Sequence, residues 1–183
     1  MRKFPYLILA LFLFIADQLS KWFVTEVMIK VMLEKPDPST IGFFDWVSSA
    51  PPRLPFVSIE MLPFFNIVMV WNQGVSFGMF SNSSDYGPIL LSALSLVISA
   101  IFAVWLFRSS SKMQCFAIAL VISGAIGNVV DRVRFGAVID FLDFHAFGHH
   151  WPAFNVADSC ICVGVFLLII HSLFFDSAAK DAK

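Results

Sequence analysis

The chain is poor in charge. Of its 183 residues, only 14% are Asp, Glu, Lys or Arg, against about a quarter in an ordinary soluble domain. That shortfall argues against a free-standing soluble globule. The net charge of −1 leaves no basic footprint for a nucleic acid. Cysteine is scarce as well. Cys115, Cys160 and Cys162 all sit in apolar runs, with no metal-ligand His or Cys spaced around them. They read as small packing residues, not as a disulfide framework or a metal set. His145, His149 and His150 have no Cys or Glu at ligand spacing and read as loop residues. The chain has no internal repeat, and no stretch of it reads as a separate soluble domain.

What is present is hydrophobic length. Apolar residues make up 58% of the chain and include 22 Phe, the composition of an integral membrane protein. The expected fold is mainly α: one integral membrane domain over 1–183 with four transmembrane helices near 4–24, 88–107, 115–133 and 156–175. Segments 25–86 and 134–154 then lie outside the cytoplasm and carry a small β-sheet. Arg2 and Lys3 before the first apolar run give it the look of a secretory signal. Apolar residues resume after Lys21, however, and no small-x-small cleavage site follows, so a retained helix is expected.

Segment 25–86 holds Pro36, Pro38, Pro51, Pro52, Pro55 and Pro63, which forbid one continuous helix. Ile59 to Trp71 is rich in β-branched and aromatic residues and predicts strands or an interfacial stretch. Trp46 and Trp71 suit the headgroup level. Asn72 and Gly74 read as a turn whose backbone can approach a ligand closely. Ser92, Ser95 and Ser99 put small residues on one side of the second helix. In the third, Gly124, Gly127, Asn128 and Asp131 form a small and polar stripe, which faces protein or water and not lipid. Val138 to Asp143 alternates as a short strand. Asn155 with Asp158 three residues on predicts a capping box opening the fourth helix. Arg2, Lys3, Arg108, Lys112, Lys180 and Lys183 cluster at the two ends and the short turn, so the positive-inside rule places both termini in the cytoplasm.

Ionisable groups at membrane depth are costly and usually functional. Asp17 and Lys21 are four apart on one helix and can pair. Asp140 follows the third helix and Asp158 opens the fourth, so the fold can bring them together. Two carboxylates in a poorly solvated site share a proton, because both cannot easily ionise. That is the state an aspartic protease uses, one carboxylate as base toward water and the other as acid toward the carbonyl. By composition, Asp143 and Asp131 are also available as partners. Arg132 can neutralise a carboxylate or hold backbone carbonyls. No serine is read as a nucleophile. A Gly-x-Gly-Asp motif, found in the presenilin and prepilin-peptidase types of membrane protease, is absent from the sequence.

Taken in order, four blocks resemble the bacterial lipoprotein signal peptidase (signal peptidase II) family. They are Asp17-x-x-Ser20-Lys21, then Asn72-x-Gly74-Val75-Ser76-Phe77-Gly78. Gly124-x-x-Gly127-Asn128-x-x-Asp131-Arg132 with Val138-Ile139-Asp140-Phe141 forms the third, and Phe154-Asn155-Val156-Ala157-Asp158-Ser159 the fourth. The resemblance implies that Asp140 and Asp158 are the catalytic pair. It implies that Asn72, Gly74, Asn128, Arg132, Asn155 and Ala157 line the site or hold substrate, with Asp17 and Lys21 supporting it. It sets Asp143 outside the catalytic positions. It further implies an aspartic endopeptidase of the bacterial inner membrane with its site near the outer face. Such an enzyme cuts diacylglyceryl-modified prolipoproteins before the lipidated cysteine. The expected partners are those substrates and membrane lipids, with no nucleic acid, no metal and no cofactor, and the expected state is a monomer. The segment between the first two blocks is longer and richer in proline than the family leads one to expect. Intramembrane Asp and Arg also mark ion paths, so a small proton-coupled transporter or channel is the competing reading, and a non-catalytic assembly factor a third. A transporter would more often show repeated halves or helices broken at the midplane.

Overall fold

The computed structural model describes residues 3–74 and 86–176. Among the described residues, four helices are long and apolar enough to cross a membrane: Phe4–Leu33, Gly87–Arg108, Lys112–Phe135 and Val156–Phe174. The first is compound. It runs as α1 (Phe4–Trp22), a π-helical stretch (Phe23–Ile29) and α2 (Lys30–Leu33). It therefore continues past the expected end at Val24. No Pro or Gly interrupts 25–33, and Glu26 pairs with Lys30 one turn on at 3.2 Å, so the charges do not end the helix. At 1.5 Å per residue its 30 residues reach about 45 Å, beyond a hydrocarbon core of about 30 Å.

The other spans are α4 (Gly87–Arg108), α5 (Lys112–Phe135) and α6 (Val156–His171), which ends in a π-helical turn. A short helix, α3 (Phe43–Ser49), lies in the connection after α2. The helix α5 is the hub, since α1, α4 and α6 all pack on it. Its small stripe faces protein, as expected of such a stripe. A Cβ on Gly127 would meet Asp17 Oδ2 at 2.7 Å and the Ala157 Cβ at 3.3 Å. Only a residue without a side chain lets α1 and α6 approach α5 this closely. Gly136, at φ +66°, ends α5 in a left-handed conformation, and its N–H returns to the Arg132 carbonyl at 2.8 Å.

The chain then enters a four-stranded antiparallel sheet, β1 (Ser58–Leu62), β2 (Phe65–Asn72), β3 (Val138–Ala146) and β4 (His149–His150), in that order. Val70 stands opposite Asp140 and Asn72 opposite Val138. Phe154 is bridged to β3: its carbonyl accepts the Leu142 N–H at 2.9 Å and its own N–H reaches the Leu142 carbonyl at 3.1 Å. The start of α6 is thereby fixed beside the strand carrying Asp140. The core beneath the sheet joins Val24, Ile29, Ile67, Met69, Phe135, Ile139 and Phe141 around Trp46. Trp46 is only 1% exposed. It faces protein and not the headgroup layer, because α3 turns it inward against Phe135.

Candidate active site

Two polar clusters meet where α1, α5, β3 and the N-terminus of α6 converge. The inner one is centred on Lys21, which is fully buried. Its ammonium lies 2.7 Å from Asp17 and 2.8 Å from Asp131. The i,i+4 spacing anticipates the first contact; the second comes from another helix. Asp17 Oδ1 accepts the N–H of Ala157 at 2.9 Å, one of the free donors of the first turn of α6. Asp131 Oδ2 accepts the N–H of Ile139 at 3.2 Å. One cation thus holds two carboxylates, and each carboxylate holds the backbone next to another acid, Asp158 in one case and Asp140 in the other.

The outer cluster contains those two acids. Asn155 caps α6, accepting the Asp158 N–H on Oδ1 at 2.9 Å, while its own N–H reaches Asp158 Oδ2 at 3.3 Å. The capping box expected from the sequence is therefore present. The same side chain does more. Its Nδ2 donates to Asp140 Oδ1 at 2.8 Å and also lies 3.2 Å from the Asn128 side-chain oxygen and from the Ile139 carbonyl. Asn128 Nδ2 donates to Asp158 Oδ1 at 2.7 Å, and Asn72 Nδ2 to Asp140 Oδ2 at 3.0 Å. Gly74 N–H donates to Asn72 Oδ1 at 3.1 Å and so orients that amide. Among the described residues, a Cβ on Gly74 would meet nothing within 4 Å. Arg132 lies at the rim, its charge acting on Asp158 first and then on Asp140 and Asp131.

Asp140 is 1% exposed. Burial first, and then the charge of Asp158, push its carboxyl up from the ordinary 3.8 to about 7, against the hydrogen bonds from Asn72 and Asn155. A carboxyl of that kind exchanges protons near neutrality. Asp143, on the same strand, has other partners. Three residues along a strand put it on the opposite face, where Asn66 Nδ2 reaches it at 2.8 Å and His150 Nδ1 at 2.9 Å. Burial alone would raise its carboxyl, but these two partners outweigh it and hold Asp143 below the usual range. The composition left Asp131, Asp143 and Asp158 open as companions of Asp140; the fold gives Asp131 to Lys21 and Asp143 to His150, and links Asp158 to Asp140 through Asn155.

Two strings in the sequence have the spacing of serine-hydrolase motifs, Gly74-Val75-Ser76-Phe77-Gly78 and Ser109-Ser110-Ser111-Lys112, and the sequence reading passed over them. Ser109 lies at the α4–α5 turn and gives its hydroxyl to Gln114 at 2.7 Å. Ser76, with Val75, Phe77 and Gly78 of the second block, lies outside the described residues. The reading also missed Gln18, whose amide reaches both Asp17 and Asp131 at 3.1 Å. Its neighbours in sequence give no hint of this, because the contact with Asp131 is made across helices.

Fold and site together define a multi-pass membrane protein with two neighbouring carboxylates, Asp140 buried and Asp158 half-buried, at one end of its helix bundle. Comparison with known proteins carries this further. The family model described as Signal peptidase (SPase) II matches residues 9–174. A lipoprotein signal peptidase of Polynucleobacter necessarius subsp. necessarius is 37% identical over 166 residues, covering 90% of this chain and 86% of that one. One from Ralstonia nicotianae is 48% identical over 112 residues, covering 60% of this chain and 64% of the relative's length. A solved structure described as a bacterial membrane enzyme superposes with a TM-score of 0.70 at 30% identity, covering 98% of this chain and 93% of that one. A second gives 0.65 at 29%, covering 94% of each. The chain belongs to the signal peptidase II family.

Proposed function

We propose that this protein is an aspartic endopeptidase that removes the signal peptide from diacylglyceryl-modified prolipoproteins, cutting before the lipidated cysteine, with Asp140 and Asp158 as the catalytic pair. The observation that carries the reading is the bridge through Asn155, which ties the Asp140 carboxylate to the backbone of Asp158. One amide thereby sets two acids from separate elements against each other. The names of the relatives supply the substrate class.

In this mechanism the ionised carboxylate takes a proton from water as the water oxygen adds to the scissile carbonyl carbon. The protonated partner gives its proton to the carbonyl oxygen. The tetrahedral intermediate then collapses: the C–N bond breaks, the amine leaves with the proton the first carboxylate had taken, and one hydroxyl of the intermediate returns its proton to the second carboxylate as the new C=O forms. Burial of Asp140 and its raised pKa favour the one-proton state at neutral pH. Asn72, Gly74, Asn128, Arg132, Asn155 and Ala157 shape the site and hold substrate; Asp17 and Lys21 keep the carrying elements in register. We place the site at the outer face of the bacterial inner membrane and both termini in the cytoplasm. The partners are then lipidated substrate and the surrounding lipid, and the working state is a monomer.

The test is cleavage of a diacylglyceryl-modified prolipoprotein by purified protein in detergent. Release of the signal peptide by the wild type, and none by folded Asp140→Asn or Asp158→Asn, is expected. Absence of cleavage by folded wild type, or near-normal rates in either variant, overturns the reading. The transport reading would predict ion or solute flux in vesicles, abolished by the same substitutions.

A further inference from the structure

Gln18 is 3% exposed and sits against the cluster around Lys21. Its Nε2 lies 3.1 Å from Asp17 Oδ2 and 3.1 Å from Asp131 Oδ1. Its Oε1 accepts from Arg134 Nη1 at 3.3 Å. A carboxylate offers only acceptors and a guanidinium only donors. A single orientation of the amide therefore satisfies all three neighbours, and Arg134 selects it. Were the amide reversed, its oxygen would face two carboxylates and its NH2 would face the cation.

Arg134 is itself gripped. Its guanidinium lies 4.2 Å from the centre of the Trp46 ring and 4.4 Å from that of Phe135. It also donates to the Trp46 carbonyl. Trp46 belongs to α3, in the long proline-rich connection that the sequence left without a role. Trp46 in turn packs in the core that contains Ile139 and Phe141, on either side of Asp140. An unbroken run of contacts leads from α3 through Arg134 and Gln18 to Asp17 and Asp131. From there it reaches the N–H groups of Ala157 and Ile139, each adjacent in sequence to one acid of the pair.

We propose that Gln18 and Arg134 are positioning residues for the Asp140–Asp158 pair, and that α3 serves to hold Arg134 in that role. The proposal rests on the peptidase reading above. Losing the link frees Asp17 and Asp131 to shift, and with them the spacing of the two acids. A misplacement of about 1 Å can cost on the order of 100-fold in rate.

The experiment measures kcat and KM on lipidated substrate, per folded molecule, for Gln18→Met, Arg134→Met, Arg134→Lys and the double Met variant. Each Met variant should lose roughly 10- to 100-fold in kcat with KM little changed. Arg134→Lys, which keeps a donor for Gln18 Oε1, should recover part of that loss. The double variant should be no more than a few-fold worse than the poorer single, because both remove one link. Full kcat in folded Gln18→Met, or losses that multiply in the double, overturns the proposal. An inactive wild type counts against the peptidase reading instead. The proposal is then judged on the Gln18 side-chain amide resonances of the full-length protein. Slow hydrogen exchange lost on Arg134→Met upholds the link, and exchange unchanged by that substitution overturns it.

Discussion

Asp140 carries the sharpest consequences at the scale of single residues. Its proton is held to about pH 7 in the folded protein and is released near 3.8 from an exposed side chain. Between those values the folded state binds one proton more than the unfolded state, so stability falls as pH rises. The stabilisation is complete below about pH 4 and is lost as pH climbs through about 7. Asp140→Asn removes this dependence. Relative to the wild type, the variant should gain thermal stability from about pH 5 to about pH 8, by at most about 3 kcal/mol. Thermal unfolding in detergent at the two pH values measures it, and a wild-type advantage that grows with pH would contradict the burial of this carboxyl. Asp143→Asn, by contrast, should keep substantial cleavage activity, since Asp143 faces His150 and Asn66 away from the pair. Lys21→Met leaves two buried carboxylates without their cation, and should cost about 3–5 kcal/mol in stability. Denaturant unfolding measures that cost, and a loss under about 1 kcal/mol would mean the cluster relaxes around the gap.

Close approach, more than side-chain chemistry, governs at the scale of elements. Gly127→Ala puts a methyl 2.7 Å from Asp17 Oδ2, in a cluster fixed on all sides. Overpacking of this kind costs about 1–3 kcal/mol. A lowered melting temperature together with lowered turnover is expected, and unchanged values of both would show that α1 can move aside. The elements also show what a sequence can reveal. The four spans were legible because apolar runs of that length have no other stable home, and the Asn155–Asp158 cap because its spacing is local. The Asp17–Lys21 contact was legible for the same reason, lying within one helix turn. The partnership of Lys21 with Asp131 was not, since it joins two helices whose mutual rotation no local pattern records. The run of the first helix to Leu33 was masked by Glu26 and Lys30, which look like a loop's charges until they are seen to pair. Trp46 looked interfacial because its burial depends on a tertiary contact with Phe135, at 5.7 Å between ring centres.

The whole molecule has two unlike ends. At one, Lys3 donates to the Ser109 carbonyl and lies 3.3 Å from Cys115 Sγ, while Gln114 meets His171 at 3.2 Å. The start of α1, the α4–α5 turn and the end of α6 are thereby gathered together. Basic residues Arg108 and Lys112 flank that turn. At the other end lie the sheet, α3 and the carboxylate pair. We propose that the first end is cytoplasmic, by the positive-inside rule, because basic residues near span ends resist translocation. Ser49, at the end of α3, and Ser110, in the α4–α5 turn, are both exposed and stand at opposite ends. In a background where the exposed Cys162 is replaced by Ala, Ser49→Cys should react with an impermeant thiol reagent added to intact cells. Ser110→Cys should react only after the membrane is opened. The reverse pattern would turn the molecule over and put the pair on the cytoplasmic side, where it could not meet a signal peptide cut at the outer face. Labelling of both from outside would break the four-span arrangement itself.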